Sequence, residues 1–168
     1  MSDFRRFERL VLPVLGDLHR FARRLAGDGA EDLLQASLER GLGRITSLRD
    51  DRVFKVWQSR VLFNTWRDQN AKLVEFPTDR VDEIAHDRSG PEQAASDSQT
   101  GARIREAVDA LPPEQRDAVW LVDGQGCGYH EAAEILGAPP GTIASRVARG
   151  RLALRVSLAE LAAEQGVA

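Results

Sequence analysis

The apolar residues of this chain return every three or four positions on both sides of one stretch that follows no period at all. Phe4, Phe7, Val11, Val14, Leu18, Phe21, Ala22 and Leu25 recur in the way one buried helix face does. Pro13 sits inside that run and predicts a break, with Pro13 opening the longer helix. Gly27-Asp28-Gly29 ends it. Ala30 to Leu42 resumes the period through Leu34, Ser37, Leu38 and Leu42, Gly41 and Gly43 loosening its end, and Arg52 to Asp68 reads as another helix after a loop over 45–51. Further on, helices are predicted over 103–111, from Pro112-Pro113-Glu114 with Ala118, Val119 and Val122 buried, over 129–136, and from Thr142 to about Leu161, with no strand-like alternation. Between them, residues 75–100 hold Pro77, Gly90, Pro91 and a polar run from Ala94 to Thr100, the composition of a linker. As a flexible coil such a segment spans on the order of 30 Å. The expected fold is all-α: two small helical domains, residues 1–74 and 101–168, joined by a flexible acidic linker over 75–100.

Charge is segregated in the same way. The net of −3 divides into 14 Lys/Arg against 10 Asp/Glu over 1–72, 2 against 7 over 73–100, and 7 against 9 over 101–168. Within the last segment, 141–156 carries Arg146, Arg149, Arg151 and Arg155 and no acid. One cysteine, Cys127, excludes an internal disulfide framework and is expected as a small buried residue. His130-Glu131-Ala132-Ala133-Glu134 begins like a zinc-protease helix but lacks the second histidine, so no metal is expected there. His19, His86 and His130 are scattered without a nucleophile, so neither an enzyme nor a cofactor is expected. The longest apolar run falls far short of the roughly 18 residues of a membrane span. With no signal peptide either, the reading is a cytoplasmic chain without membrane insertion.

The last two predicted helices have helix-turn-helix spacing. Ala133 is small where crossing helices approach, Gly137 opens the turn, and Ile143, Val147 and Leu154 would plug the second helix into its core. Thr142, Ser145, Arg146 and Arg149 then share the opposite face near the helix N-terminus, the part that such motifs place in the major groove. Arginine suits guanine edges and phosphates; serine and threonine serve either.

Five stretches carry a resemblance. Leu111-Pro112-Pro113-Glu114-Gln115-Arg116, Tyr129 to Gly137 and Gly141 to Arg151 resemble region 4 of extracytoplasmic-function (ECF) sigma factors. Ala30-Glu31-Asp32-Leu33-Leu34-Gln35 is similar to the region 2 motif that grips the clamp helices of RNA polymerase. Trp57, Asn64 and Asp68 are similarly spaced to the helix that reads and opens the minus-ten element.

The resemblance implies a region 2 helical bundle and a region 4 helix-turn-helix, with core RNA polymerase (clamp helices and flap), promoter DNA and an anti-sigma factor as partners. Glu31, Asp32, Gln35 and Glu39 would bind core polymerase. Lys55, Arg60, Asn64 and Arg67 would bind the minus-ten element, with the 45–51 loop holding an unstacked base. Thr142, Ser145, Arg146, Arg149 and Arg151 would bind the minus-thirty-five element. Trp57 and Trp66 are also expected in the core, Trp57 above all. The sequence departs from the family pattern at Gly128, where a serine commonly caps the helix, and at Ala144, where a lysine is frequent. The wording of 111–116 and 131–135 leans toward the alphaproteobacterial general-stress subgroup. A rival reading is a sigma-like decoy that titrates an anti-sigma without initiating transcription; the retained Arg146, Arg149 and Arg151 weigh against it.

Overall fold

A computed structural model describes residues 2–74 and 99–164. The expected linker therefore lies, over 75–98, outside the described residues. The chain divides into two compact units, one within Met1–Gly90 and one within Pro91–Ala168. Among the described residues every regular element is a helix or a helical turn, and no helix is long and apolar enough to cross a membrane.

In the first unit α1 spans Asp3–Val11, opened by Ser2, whose Oγ accepts the Arg5 N–H. Pro13 has no N–H to continue the ladder, so the chain tightens into a 3-10 turn over Leu12–Val14 before α2, Leu15–Ala26. Pro13 thus precedes α2 instead of opening it. Gly27, at φ 56°, turns the chain out of α2 and into α3, Ala30–Leu42. A turn at Ile45–Ser47 and another at Asp51–Val53 lead to α4, Phe54–Val74. Asp50 takes the Arg52 N–H on its side chain at 3.0 Å, which keeps that first turn tight and delays α4 past its expected start at Arg52.

Helices α2, α3 and α4 pack against one another. Leu18 and Leu62 are wholly buried among Phe7, Phe21, Leu25, Leu33 and Phe54. The buried stripe of α3 is Ala30, Leu33, Ser37 and Gly41, one residue away from the expected Leu34 and Leu38, which are half-buried. The reason is close approach: the stripe is mostly small, and α4 puts the buried Gln58 side chain against it. Gln58 Nε2 donates to Ser37 O at 2.9 Å, and a Cβ on Gly41 would overlap Gln58 Oε1. Gly41 therefore permits contact in mid-packing instead of loosening a helix end.

In the second unit α5 runs Gln99–Asp109, starting two residues inside the expected linker, and α6 runs Pro113–Val119. The chain then widens into a π turn over Trp120–Gly124. Leu121, three residues after the buried Ala118, is buried, while Val122, expected in the core, is only half-buried. Next come α7, Tyr129–Leu136, and α8, Pro140–Glu164. Helices α5, α6 and α7 all pack on α8, whose Ile143 and Val147 are wholly buried and whose Leu154 is half-buried. Gly137, at φ 64° and ψ 38°, closes α7 in the left-handed conformation that a turn into α8 needs. Cys127 is partly exposed, its N–H bound to Leu121 O at 2.9 Å.

Candidate nucleic-acid and polymerase interfaces

The outer side of α3 presents Glu31, Asp32, Gln35 and Glu39, all exposed. Glu31 and Asp32 occupy the first turn, where the helix dipole favours negative charge. Gln35 Nε2 donates to Glu39 Oε1 at 3.1 Å, ordering that edge of the patch. Hydrogen-bond acceptors thus run along more than two turns of one helix face.

On α4, Trp57, Arg60, Asn64 and Arg67 succeed one another at three- and four-residue steps and form one stripe. Arg60, Asn64 and Arg67 are exposed and Trp57 is half-buried, tilted against Phe54 at 5.9 Å between ring centroids. Trp57 therefore stands at the rim of the core with one side turned outward, where core packing was expected. Trp66 is likewise half-buried, stacked on Phe63 at 5.7 Å. Beside Trp57 lies a cleft of about 280 Å³ lined by Arg40, Arg44, Ser47, Trp57, Arg60, Val61 and Asn64. It joins guanidinium groups, an indole and an amide, the inventory that holds a phosphate chain and a flat aromatic ring at once.

Lys55 is not part of this stripe. It sits roughly 160° around the helix from Trp57, and its Nζ pairs with Asp17 Oδ2 on α2 at 2.6 Å. That hydrogen bond, with Arg20 adding to it, holds the Asp17 carboxyl below its ordinary value. Ser47 belongs to the 45–51 loop that the resemblance assigns to base holding, whereas Arg40 and Arg44 carry no such signal in the sequence. Arg40 is anchored by Asp68 Oδ2 at 2.7 Å and Thr65 Oγ1 at 3.4 Å, a pairing across two helices that no local spacing displays.

On α8, Thr142, Ser145, Arg146 and Arg149 share one face, as expected from their spacing. Ser145 Oγ bonds back to Gly141 O at 3.0 Å, and Arg149 Nε donates to Ser145 O at 3.3 Å, leaving Arg149 otherwise exposed. Arg146 is only 18% exposed, and its Nη2 meets Glu114 Oε2 of α6 at 3.1 Å. At the head of α7, Gly128 supplies no side-chain cap, but Glu131 Oε2 accepts its N–H at 2.8 Å, which keeps half of a capping box.

Arg151 is turned away from that face. It forms a two-pronged pair with Asp123 in the π turn, Nη2 to Oδ1 at 2.6 Å and Nε to Oδ2 at 3.0 Å. The pair depresses the Asp123 carboxyl below its ordinary 3.8, mostly through the hydrogen bond, and raises the Arg151 guanidinium further. A carboxylate with a lowered folded-state value stabilises the fold above its ordinary value and stops doing so as pH falls through the lowered one. Denaturation curves of the wild type and Asp123→Asn should therefore differ at neutral pH and converge as the pH drops below about 4, with a small difference because the pair is half in water.

Residues 101–154 match the family model described as Sigma-70, region 4. The ECF RNA polymerase sigma factor EcfG of Rhodopseudomonas palustris is 35% identical over 151 residues, which cover 88% of this chain and 82% of that protein. The chain belongs to the ECF sigma factors. It is accordingly a non-enzymatic initiation factor, and its partners are core RNA polymerase and promoter DNA. The sigma factor SigE of Mycolicibacterium smegmatis is 34% identical over 165 residues; the alignment takes in 94% of this chain and 63% of that relative's length. Among solved structures, the sigma factor RpoE of Bartonella quintana, crystallised with the anti-sigma factor NepR, matches with a TM-score of 0.66 at 26% identity, covering 90% of this chain and 96% of that one.

Proposed function

We propose that this sigma factor divides its work between the two units. The first, residues 1–74, grips polymerase through Glu31, Asp32, Gln35 and Glu39 and opens the minus-ten element through the α4 stripe. The second, residues 101–168, reads the minus-thirty-five element through Thr142, Ser145, Arg146 and Arg149, and residues 75–100 tether the two. The observation that carries the reading is the cleft beside Trp57. Opening DNA requires an unstacked base to be held somewhere, and an indole flanked by Arg44, Arg60 and Asn64 offers stacking, charge and hydrogen bonds together. Lys55, committed to Asp17, is assigned a structural role, and Arg151 acts by pinning α8 to the π turn.

The protein works in the cytoplasm, where polymerase is, and is silenced by an anti-sigma factor. Support for the second point comes from the Bartonella quintana relative, which was solved with its anti-sigma bound. The likeness to EcfG and the wording of 111–116 favour the alphaproteobacterial general-stress subgroup.

In vitro transcription with bacterial core polymerase on genomic fragments tests the reading. A promoter-dependent transcript is expected; its absence despite core binding would favour the decoy. Asp32→Ala should weaken assembly with core, measured as a rise in dissociation constant of about tenfold to a hundredfold, the worth of a charge-assisted hydrogen bond lost from an interface. The same variant should retain its thermal stability, because Asp32 is exposed.

A further inference from the structure

The loop between α3 and α4 has few means of keeping its shape. Ile45 and Leu48 are buried, at 1% and 4% exposure, while Thr46, Ser47 and Arg49 face outward. Its short backbone bonds are Ser47 N–H to Arg44 O at 2.9 Å and Leu48 N–H to Ile45 O at 3.1 Å. These bonds, like the Ser47 hydroxyl on Arg44 O at 2.7 Å and the Asp50 carboxylate on the Arg52 N–H at 3.0 Å, are local to the loop. A segment tied only to itself opens easily unless something else holds it. That something comes from α1. Arg6 Nη2 donates to Leu48 O at 2.9 Å, Nη1 to Ile45 O at 3.4 Å, and Nε and Nη2 to Asp51 Oδ1 at 3.0 and 2.6 Å. Arg9 Nη2 takes the other Asp51 oxygen at 2.9 Å. One planar guanidinium thus meets two carbonyls and a carboxylate at both ends of the loop, a geometry that an ammonium cannot copy.

Arg44 and Ser47, at the start and middle of this loop, line the cleft beside Trp57. We propose that Arg6 is a positioning residue for promoter opening: without touching DNA, it fixes the 45–51 loop so that the wall of the cleft is in place before a base arrives. A prearranged wall spares the cost of ordering the loop at the moment of capture. The inference rests on the reading of the cleft as the base-holding site.

The test uses the full chain in holoenzyme, with Arg6→Lys and, as a second way of releasing the loop, Asp51→Asn. Wild-type transcription from a duplex promoter comes first; without it both the sigma reading and this inference fall. Given that transcript, both variants should form open complexes on duplex promoter about tenfold less well, the scale of a displaced positioning element, with permanganate reactivity of minus-ten thymines as the readout. Discrimination between the promoter and its single-base minus-ten variants should narrow. On a template already melted across the minus-ten element the deficit should shrink severalfold, because strand opening no longer depends on capture, and core affinity should equal that of wild type. An equal loss on duplex and premelted templates, or a loss that follows core affinity or melting temperature, would show that Arg6 merely holds the domain together and would overturn the proposal. Wild-type behaviour of both variants on duplex DNA would overturn it too.

Discussion

Arg146→Ala is expected to abolish most of the dependence of transcription on the minus-thirty-five element while leaving assembly with core polymerase intact. A well-placed arginine on a base edge is worth about 1–3 kcal/mol of discrimination, so initiation should fall by roughly fivefold to a hundredfold at promoters that need that element. Since Arg146 also meets Glu114 and is largely covered, its removal alters packing between α6 and α8. Arg149→Ala provides the comparison, because Arg149 is exposed and, among the described residues, its hydrogen bond is to Ser145 O, one turn back. Both variants should lose the difference in transcript between a promoter with its minus-thirty-five sequence and one with that sequence scrambled. A loss of the same size on both promoters would assign these arginines to polymerase or to folding instead.

The second large effect concerns stability. Gly41→Leu should destabilise the first unit by about 3–5 kcal/mol, from overpacking together with a displaced buried amide. Even a single added carbon at Gly41 would overlap Gln58 Oε1 and lie 3.0 Å from Phe7 Cε2. Gln58 cannot move aside cheaply, because it is wholly buried and its amide serves Ser37 O. A domain of about 70 residues holds only some 4–10 kcal/mol in total, so a substantial fraction of its stability is at stake. Gly43→Ala is the control: its new carbon would stand 3.6 Å from the nearest atom, Glu39 O, and should change stability by less than about 0.5 kcal/mol. Denaturant unfolding followed by tryptophan fluorescence in a Trp120→Phe background, which leaves Trp57 and Trp66 of the first unit as reporters, reads both. Equal midpoints for the two variants would refute the packing argument.

What could be read from the sequence was local. Helix α7 is found over 129–136 as expected because its punctuation is near at hand, with Glu131 bonding back to Gly128 and Gly137 closing the other end. The exposed faces of α3 and α8 follow from a period that each helix carries within itself, whereas the buried stripe of α3 shifts to Leu33 and Gly41 because α4 packs there. Long-range pairings left no such trace. The sequence groups Lys55 with the minus-ten residues because it lies on their helix, but its partner Asp17 is on α2, and the charge belongs to the contact between helices. Arg40 and Arg44 joined the cleft only once α3 lay against α4. Within the second unit the local period points to Val122, whereas Leu121, three residues after Ala118, is the one in the core.

The ion pair between Arg146 and Glu114 has a bearing on how promoter recognition responds to ionic strength. A guanidinium that already holds a carboxylate has little need of a counterion from solution. When it takes a nucleic-acid acceptor it exchanges one anion for another, and the carboxylate it gives up must then find solvent cations. The net ion release that normally drives cationic proteins onto DNA is reduced at this position. On the proposed assignment of α8 to the minus-thirty-five element, recognition is thereby weighted toward shape and hydrogen-bond geometry, and less toward the simple count of arginines on the helix.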